Sequence, residues 1–246
     1  MSRHPSKILV FLPLLLLCAT LTSISARAAD EAAAAWDQKL TVSAYQFSQS
    51  GLAEDINLRA GNGTHTVWGG YYRSADFDQA RVGWEYTVKS GMWQVVPSLQ
   101  AATHGLLSGS FAAQVGDRVY GVFGWGRTNL KPYMNLNFDP GESWTLGIGT
   151  RNSTSSTTLF VVKDDRINTD QLVSHMVWRH TTAEQNRWTF DLSSKTGRPA
   201  EGEPRVSGVG VSLGYDQPPY FVRIGWEQNV FFTEENQSRA AFGMRF

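Results

Sequence analysis

The stretch Thr103–Ser110, THGLLSGS, sets His104 a few residues ahead of Ser108 and Ser110. A histidine base beside a serine hydroxyl is the minimum for nucleophilic acyl transfer. The two must come within hydrogen-bond reach, and a third group must orient the ring. Asn135, Asp139 and Asp165 are the candidate orienting groups. No GxSxG motif accompanies them, and a lone histidine near a serine-rich loop is usually polar surface. A lipid acyl hydrolase built on His104, Ser108 and Ser110 is therefore the weaker of the functional readings.

Arginine makes the stronger one, because it recurs on one side of alternating segments. In Gln79–Val88 the apolar set Ala80, Val82, Trp84, Tyr86 and Val88 alternates with Gln79, Arg81, Gly83, Glu85 and Thr87. Successive side chains of a strand point to opposite faces, so Arg81 and Glu85 share the non-apolar face. The same parity collects Arg59, Arg73, Arg81, Arg127, Arg151, Arg179, Arg187, Arg223, Arg239 and Arg245, against the acids Asp55, Glu85, Asp191 and Glu227. A guanidinium stays charged and presents a planar fork suited to carboxylate and phosphate. Rings of such charge set selectivity in pores. The competing reading pairs Arg81 with Glu85, Arg187 with Asp191 and Arg223 with Glu227 as braces of a closed interior.

A third group lies in Arg127–Glu142, RTNLKPYMNLNFDPGE, where Tyr133, Asn135, Asn137 and Asp139 alternate with Met134, Leu136 and Phe138. This stretch reads either as a gate folded into a lumen or as a packed external loop closed by an Asp-Pro-Gly turn. His175 shares its face with Arg179 and reads as lining; with no second His or Cys at ligand spacing, no metal site is expected. No phosphate-cradling or cofactor motif is present.

The elements that position these residues are strands. Alternation of the same kind runs through Ser143–Arg151, Arg187–Ser193, Val206–Tyr215, Tyr220–Gln228 and the end of the chain, where Ala240, Phe242, Met244 and Phe246 oppose Arg239, Ala241, Gly243 and Arg245. His65–Arg73, Trp93–Thr103 (interrupted by Pro97) and Arg118–Arg127 alternate less cleanly. Short turns at Gly61–Thr64, Lys89–Met92, Gly116–Arg118, Asn152–Ser156 and Asp216–Pro219 alternate with longer loops at Thr128–Glu142, Asp164–Asp170, Ser194–Glu203 and Asn229–Glu235. The count from Leu40 is 14 strands, or 12 if a doubtful pair merges. Even parity puts both termini on the short-turn side. The fold expected is all-β, a transmembrane antiparallel up-and-down barrel of 12–14 strands, with one side of short turns and one of long loops.

Residues 1–28 form an export signal: basic Arg3, His4 and Lys7, the apolar run Ile8–Leu21, and the small-x-small site Ala26-Arg27-Ala28. The organisation expected is a signal peptide over 1–28, a lead-in over 29–37 and a barrel over 38–246. The one cysteine, Cys18, leaves with the signal, so no disulfide is available. Removing Arg3, Lys7 and Arg27 leaves the balance of charges slightly acidic, which excludes an ordinary nucleic-acid binder. A secreted sandwich or lipocalin-like barrel would alternate too. Its polar face would carry the Lys/Glu mix of a wet surface, whereas here that face is Gly, Ser, Thr and Arg. Trp and Tyr near strand ends fit interfacial belts.

The last strand then acquires a meaning. Arg239-x-Ala241-x-x-Met244-x-Phe246 resembles the terminal signal of bacterial outer-membrane β-barrel proteins, with Ala241 where Gly is commoner. The resemblance identifies a class and no particular family. It implies a Gram-negative outer membrane, contact with its lipid and lipopolysaccharide, and a barrel-assembly machinery that reads Phe242, Met244 and Phe246 during insertion. The function expected is a small porin-like channel for polar or anionic solutes. A plugged structural barrel and the rim hydrolase are the alternatives.

Overall fold

A computed structural model describes residues 35–246. The signal segment 1–28 and most of the lead-in lie outside the described residues; Asp37, assigned to the lead-in, already opens the first strand. The chain folds into β1 (Asp37–Phe47), β2 (Gly51–Gly61), β3 (His65–Arg73), β4 (Asp78–Tyr86, resumed as Val88–Ser90), β5 (Trp93–Ala102), β6 (Leu106–Gly116) and β7 (Val119–Thr128). The second half gives β8 (Ser143–Arg151), β9 (Ser155–Asp164), β10 (Leu172–Thr181), β11 (Arg187–Gly197), β12 (Val206–Gln217), β13 (Tyr220–Glu227) and β14 (Gln237–Arg245). The break in β4 has a local cause. The common register of β4 and β5 sets Tyr86 opposite Pro97, which has no N–H to give to the ladder.

Every strand pairs antiparallel with its neighbours in sequence, and β1 pairs with β14 from Lys39↔Arg245 to Phe47↔Gln237. The sheet therefore closes into a 14-strand barrel with no free edge. Both strand ends nearest the termini, Asp37 and Arg245, lie at the end of the short turns.

The outer face is apolar all the way round. Leu146 (65% exposed), Leu99 (60%) and Val82 (59%) are among its members. A water-soluble monomer seldom exposes apolar patches beyond a few hundred Å². A continuous apolar circumference on strands of this length is the surface of a membrane-spanning barrel. Aromatic residues ring it near both ends. Trp84, Trp178, Trp188, Tyr215 and Tyr220 lie toward the short turns, and Tyr71, Trp125, Trp144 and Trp226 toward the long loops.

Inside, large rings lie across glycines. Trp68 faces Gly83, Tyr120 faces Gly149, Phe160 faces Gly147 and Phe221 faces Gly243, each pair directly opposed in register. A Cβ on Gly83, Gly149 or Gly243 would overlap the facing ring, and one on Gly147 would meet the Cβ and backbone of Phe160. The glycines of the inner face are thus the beds on which the lumen aromatics lie flat, an arrangement that also shields the bare backbone.

Candidate functional site

The two halves of the lumen differ. In the half toward the long loops, Tyr45, Phe47, Ala53, Tyr72, Phe138 and Val230 form a buried cluster, with Phe77, Met134, Leu136 and Phe231 packed against it. Phe138 comes from the loop between β7 and β8 and is 4% exposed. Its ring meets Phe231 edge-on at 5.0 Å and Tyr45 at 6.3 Å. The loop therefore folds into the barrel rather than standing above it. It stays there because its apolar side, Met134, Leu136 and Phe138, finds aromatic partners on the wall.

Polar contacts fix the same loop. The Met134 amide donates to Gln79 Oε1 at 3.0 Å, and Asn135 donates to the Asp139 carbonyl at 2.7 Å and accepts from the Asn137 amide at 3.0 Å. Tyr133 hydrogen-bonds Gln100, and burial raises its phenol pKa. The loop's root is held by Glu142, which accepts from the Thr128 amide at 2.7 Å and from Arg166 at 3.0 Å. His175 on β10 bridges loop and wall: Nε2 lies 3.1 Å from Asp139 Oδ1, and Nδ1 lies 3.1 Å from Asp191 Oδ1. Its ring stacks on Phe160 at 4.7 Å. Asn135 and Asp139 thus serve the loop's own seat.

The half toward the short turns is basic and wet. Arg151, Arg179 and Arg223 face inward and are exposed, with Arg59, Arg187 and Arg245 partly so; Arg239 faces inward in the other half, opposite Tyr45 and with its guanidinium 5.9 Å from the Phe138 ring. Arg73 and Arg127, expected inside, point outward. Arg73 shares parity with Tyr71 and Val67. Arg127 shares parity with Trp125, over whose ring its guanidinium sits at 4.9 Å, and it binds Asp165 at 2.7 Å. Both occur where bulky residues on both faces blurred the alternation.

The ion pairs also differ from those expected along each strand. Residues four apart on a strand stand about 13 Å apart, too far to pair. Arg81 instead binds Asp55, and Arg59 binds Glu85, both from β4 to β2 across β3. Arg187 donates to Asp216 on β12, with Nε at 2.9 Å, and Glu227 binds Lys195 across β12. Asp191 goes to His175. Gly70 lies under the Arg81–Asp55 pair and Gly208 under Lys195, so the strand that is crossed offers no side chain to block the reach. Arg81 and Asp55 are 4% exposed each and belong to the closed half, whereas Arg59 and Arg187 at 42% meet water. Parity alone could have found Lys39, Lys195, Asp164 and Asp216, which also face the lumen. They lie at strand ends whose boundaries the alternation did not reach.

The histidine–serine reading finds no geometry. His104 sits exposed in a helical turn at φ 64°, with its ring against Phe77 at 5.4 Å. Ser108 and Ser110 face the lumen from β6, in register with Gln100 and Ser98. Among the described residues no hydrogen bond links His104 to either serine or to an orienting group. On the outer face Phe242 stacks with Tyr220 at 5.9 Å, Met244 opposes Leu40, and Phe246 is 51% exposed.

No protein-family description matches the chain, and no curated protein sequence matches it. Solved structures do. A mutant porin of Rh. blastica superposes with a TM-score of 0.51 at 6% identity, over 86% of this chain and 99% of that one. The NanC porin gives 0.48 at 9% identity, over 84% of this chain and 100% of that one. The KdgM porin in complex with disordered oligogalacturonate gives 0.48 at 10% identity, over 85% and 99%. At such identity the likeness is one of fold, a closed antiparallel β-barrel.

Proposed function

We propose that the protein is a narrow outer-membrane channel for small polar or anionic solutes. The loop over residues 129–142 forms its constriction. The observation that carries this reading is the contrast between the two halves of the lumen. One is closed by a loop seated on aromatic side chains. The other is open to water and lined by Arg59, Arg151, Arg179, Arg187 and Arg223, with few acids beside them. A narrow, positively lined passage favours anions.

The apolar circumference and aromatic rings support placement in the outer membrane of a Gram-negative cell, with lipid and lipopolysaccharide around them. We assign Phe242, Met244 and Phe246 to the insertion signal read by the barrel-assembly machinery, since all three lie on the outer face of the closing strand.

The test is single-channel conductance of the refolded protein in a planar bilayer under a salt gradient. Discrete steps with anion preference are expected, and Arg59→Gln, Arg187→Gln and Arg223→Gln together should abolish the preference. Arg81 is left out because its guanidinium is buried with Asp55 and serves packing. A reversal potential unchanged in the triple variant would refute the charge-lined pore. The buried Phe138 cluster also favours a plugged resting state. Silence from the folded wild type with steps from Phe138→Ala would mark a gated channel, and silence from both a structural barrel.

A further inference from the structure

The short-turn mouth of the lumen holds more cations than it pairs. Lys39 stands directly opposite Arg245 on β14 and directly opposite Arg59 on β2, so three positive residues lie in register on adjacent strands. Directly opposed residues have Cβ atoms about 5 Å apart, and like charges there repel. Arg223 and Arg187 join them from β13 and β11.

The floor of this group is one ring. Phe221, 1% exposed, lies across Gly243, and three cations close on it. Lys39 Nζ lies 4.7 Å, the Arg245 guanidinium 4.9 Å and the Arg223 guanidinium 5.3 Å from its centroid. A phenyl face attracts each cation but carries no net charge to offset all three. Of the carboxylates nearby, Asp216 takes Arg187 and, at 3.4 Å, Arg245, and Glu85 takes Arg59. Asp37, on the same face at the lip, pairs with none of them. Among the described residues no carboxylate comes within ion-pair distance of Lys39 or Arg223.

We propose that this mouth is a binding site for a compact polyanion bearing two or more carboxylate or phosphate groups. Arg223 and Lys39, the two cations without a partner, take one anionic group. Arg59 and Arg245, flanking Lys39 in register, take a second, and the buried Phe221 ring beneath holds Lys39, Arg223 and Arg245 toward one another. Guanidinium forks match carboxylate and phosphate oxygens alike, so the geometry fixes the charge and leaves the acid type to the probe. The site rests on the channel reading only in that a solute must reach the mouth.

The experiment is titration calorimetry of the refolded barrel in zwitterionic micelles with citrate, with pyrophosphate, and with glucose as the uncharged control. Saturable one-to-one binding of citrate or pyrophosphate is expected, with none for glucose; which anion binds distinguishes the carboxylate from the phosphate source. Arg223→Gln and Lys39→Gln should each weaken it at least tenfold. Arg118→Gln, in an exposed turn outside the lumen, should bind as the wild type does. Folding of each variant is checked by heat-dependent gel mobility, and Lys39→Gln carries the test if Arg223→Gln does not refold. No saturable binding of either anion overturns the site, as does equal weakening by Arg118→Gln. Conductance without binding overturns the site and leaves the channel standing. Binding without conductance supports the site and counts against the channel.

Discussion

Replacing Phe138 by alanine tests the seat of the inward loop. The side chain is 4% exposed and packs against Phe231 and Tyr45 in a cluster that also holds Phe47, Tyr72 and Val230. Truncating a phenylalanine so placed costs about 3–5 kcal/mol. The barrel itself does not bear that cost, because the strand ladders do not run through the loop. It falls on the equilibrium between seated and released loop, which should shift by roughly 150- to 4,000-fold. The polar anchors that remain include Asp139 on His175 and the Met134 amide on Gln79, together worth about 2–4 kcal/mol, beside the packing of Met134 and Leu136 on the wall. With Phe138 gone the released state gains population. Single-channel recording should show larger or longer openings than in the wild type, and hydrogen exchange over residues 133–139 should accelerate. The thermal midpoint of the barrel should stay within a few degrees. Unchanged conductance together with unchanged exchange would refute the claim that Phe138 holds the constriction.

Three further outcomes follow from the walls. Leu146 stands at the middle of β8 on the outer face, so Leu146→Arg should destabilise the membrane-inserted barrel by about 2–4 kcal/mol, measured by denaturant titration in vesicles. Gly243→Val would place a side chain where the Phe221 ring lies; overpacking of about 1–3 kcal/mol is expected in the same assay, and Phe221→Ala in the same chain should recover part of it. Glu235 ties the turn after β1 to the loop before β14. Slight burial opposes its charge, but the Ser50 hydroxyl and the amides of Ser50 (2.6 Å) and Gln49 (3.0 Å) donate to it and hold its pKa below the usual carboxylate value. A lowered folded-state pKa stabilises above the unfolded value and is lost as pH falls through the folded one. Protection of the Gln49 and Ser50 amides should therefore drop below about pH 4, the unfolded carboxylate range. Glu235→Gln should remove that dependence.

How legible the barrel was in the sequence depended on what each residue reports. Clean alternation, as in Gln79–Val88 and Arg187–Ser193, gave the strands, their faces and the count of 14, because parity is a local property of a pleated chain. It misled at Arg73 and Arg127, where apolar residues occupy both faces, and it stopped short of Lys39 and Asp216 at strand ends. The loop over residues 129–142 carried two readings in its sequence. What decided between them was the presence of Tyr45, Phe47, Tyr72 and Phe231 opposite Phe138, contacts spanning most of the chain that no local pattern contains.

The charge pairs make the same point more sharply. Parity put Arg81, Arg59, Asp55 and Glu85 on one face, where Arg81 meets Asp55 and Arg59 meets Glu85. It could not say who pairs with whom, because pairing depends on inter-strand register and on what the intervening strand leaves empty. Arg81 reaches Asp55 over Gly70, and Lys195 reaches Glu227 over Gly208. The glycines that the sequence shows as a featureless polar face therefore do two things. Opposite Trp68, Tyr120 and Phe221 they bed the rings that shape the lumen. Beneath the long cations they let charge cross a strand to its partner. Where the partner is missing, at Lys39 and Arg223, positive charge is left facing water. An anion entering the short-turn mouth would find it there.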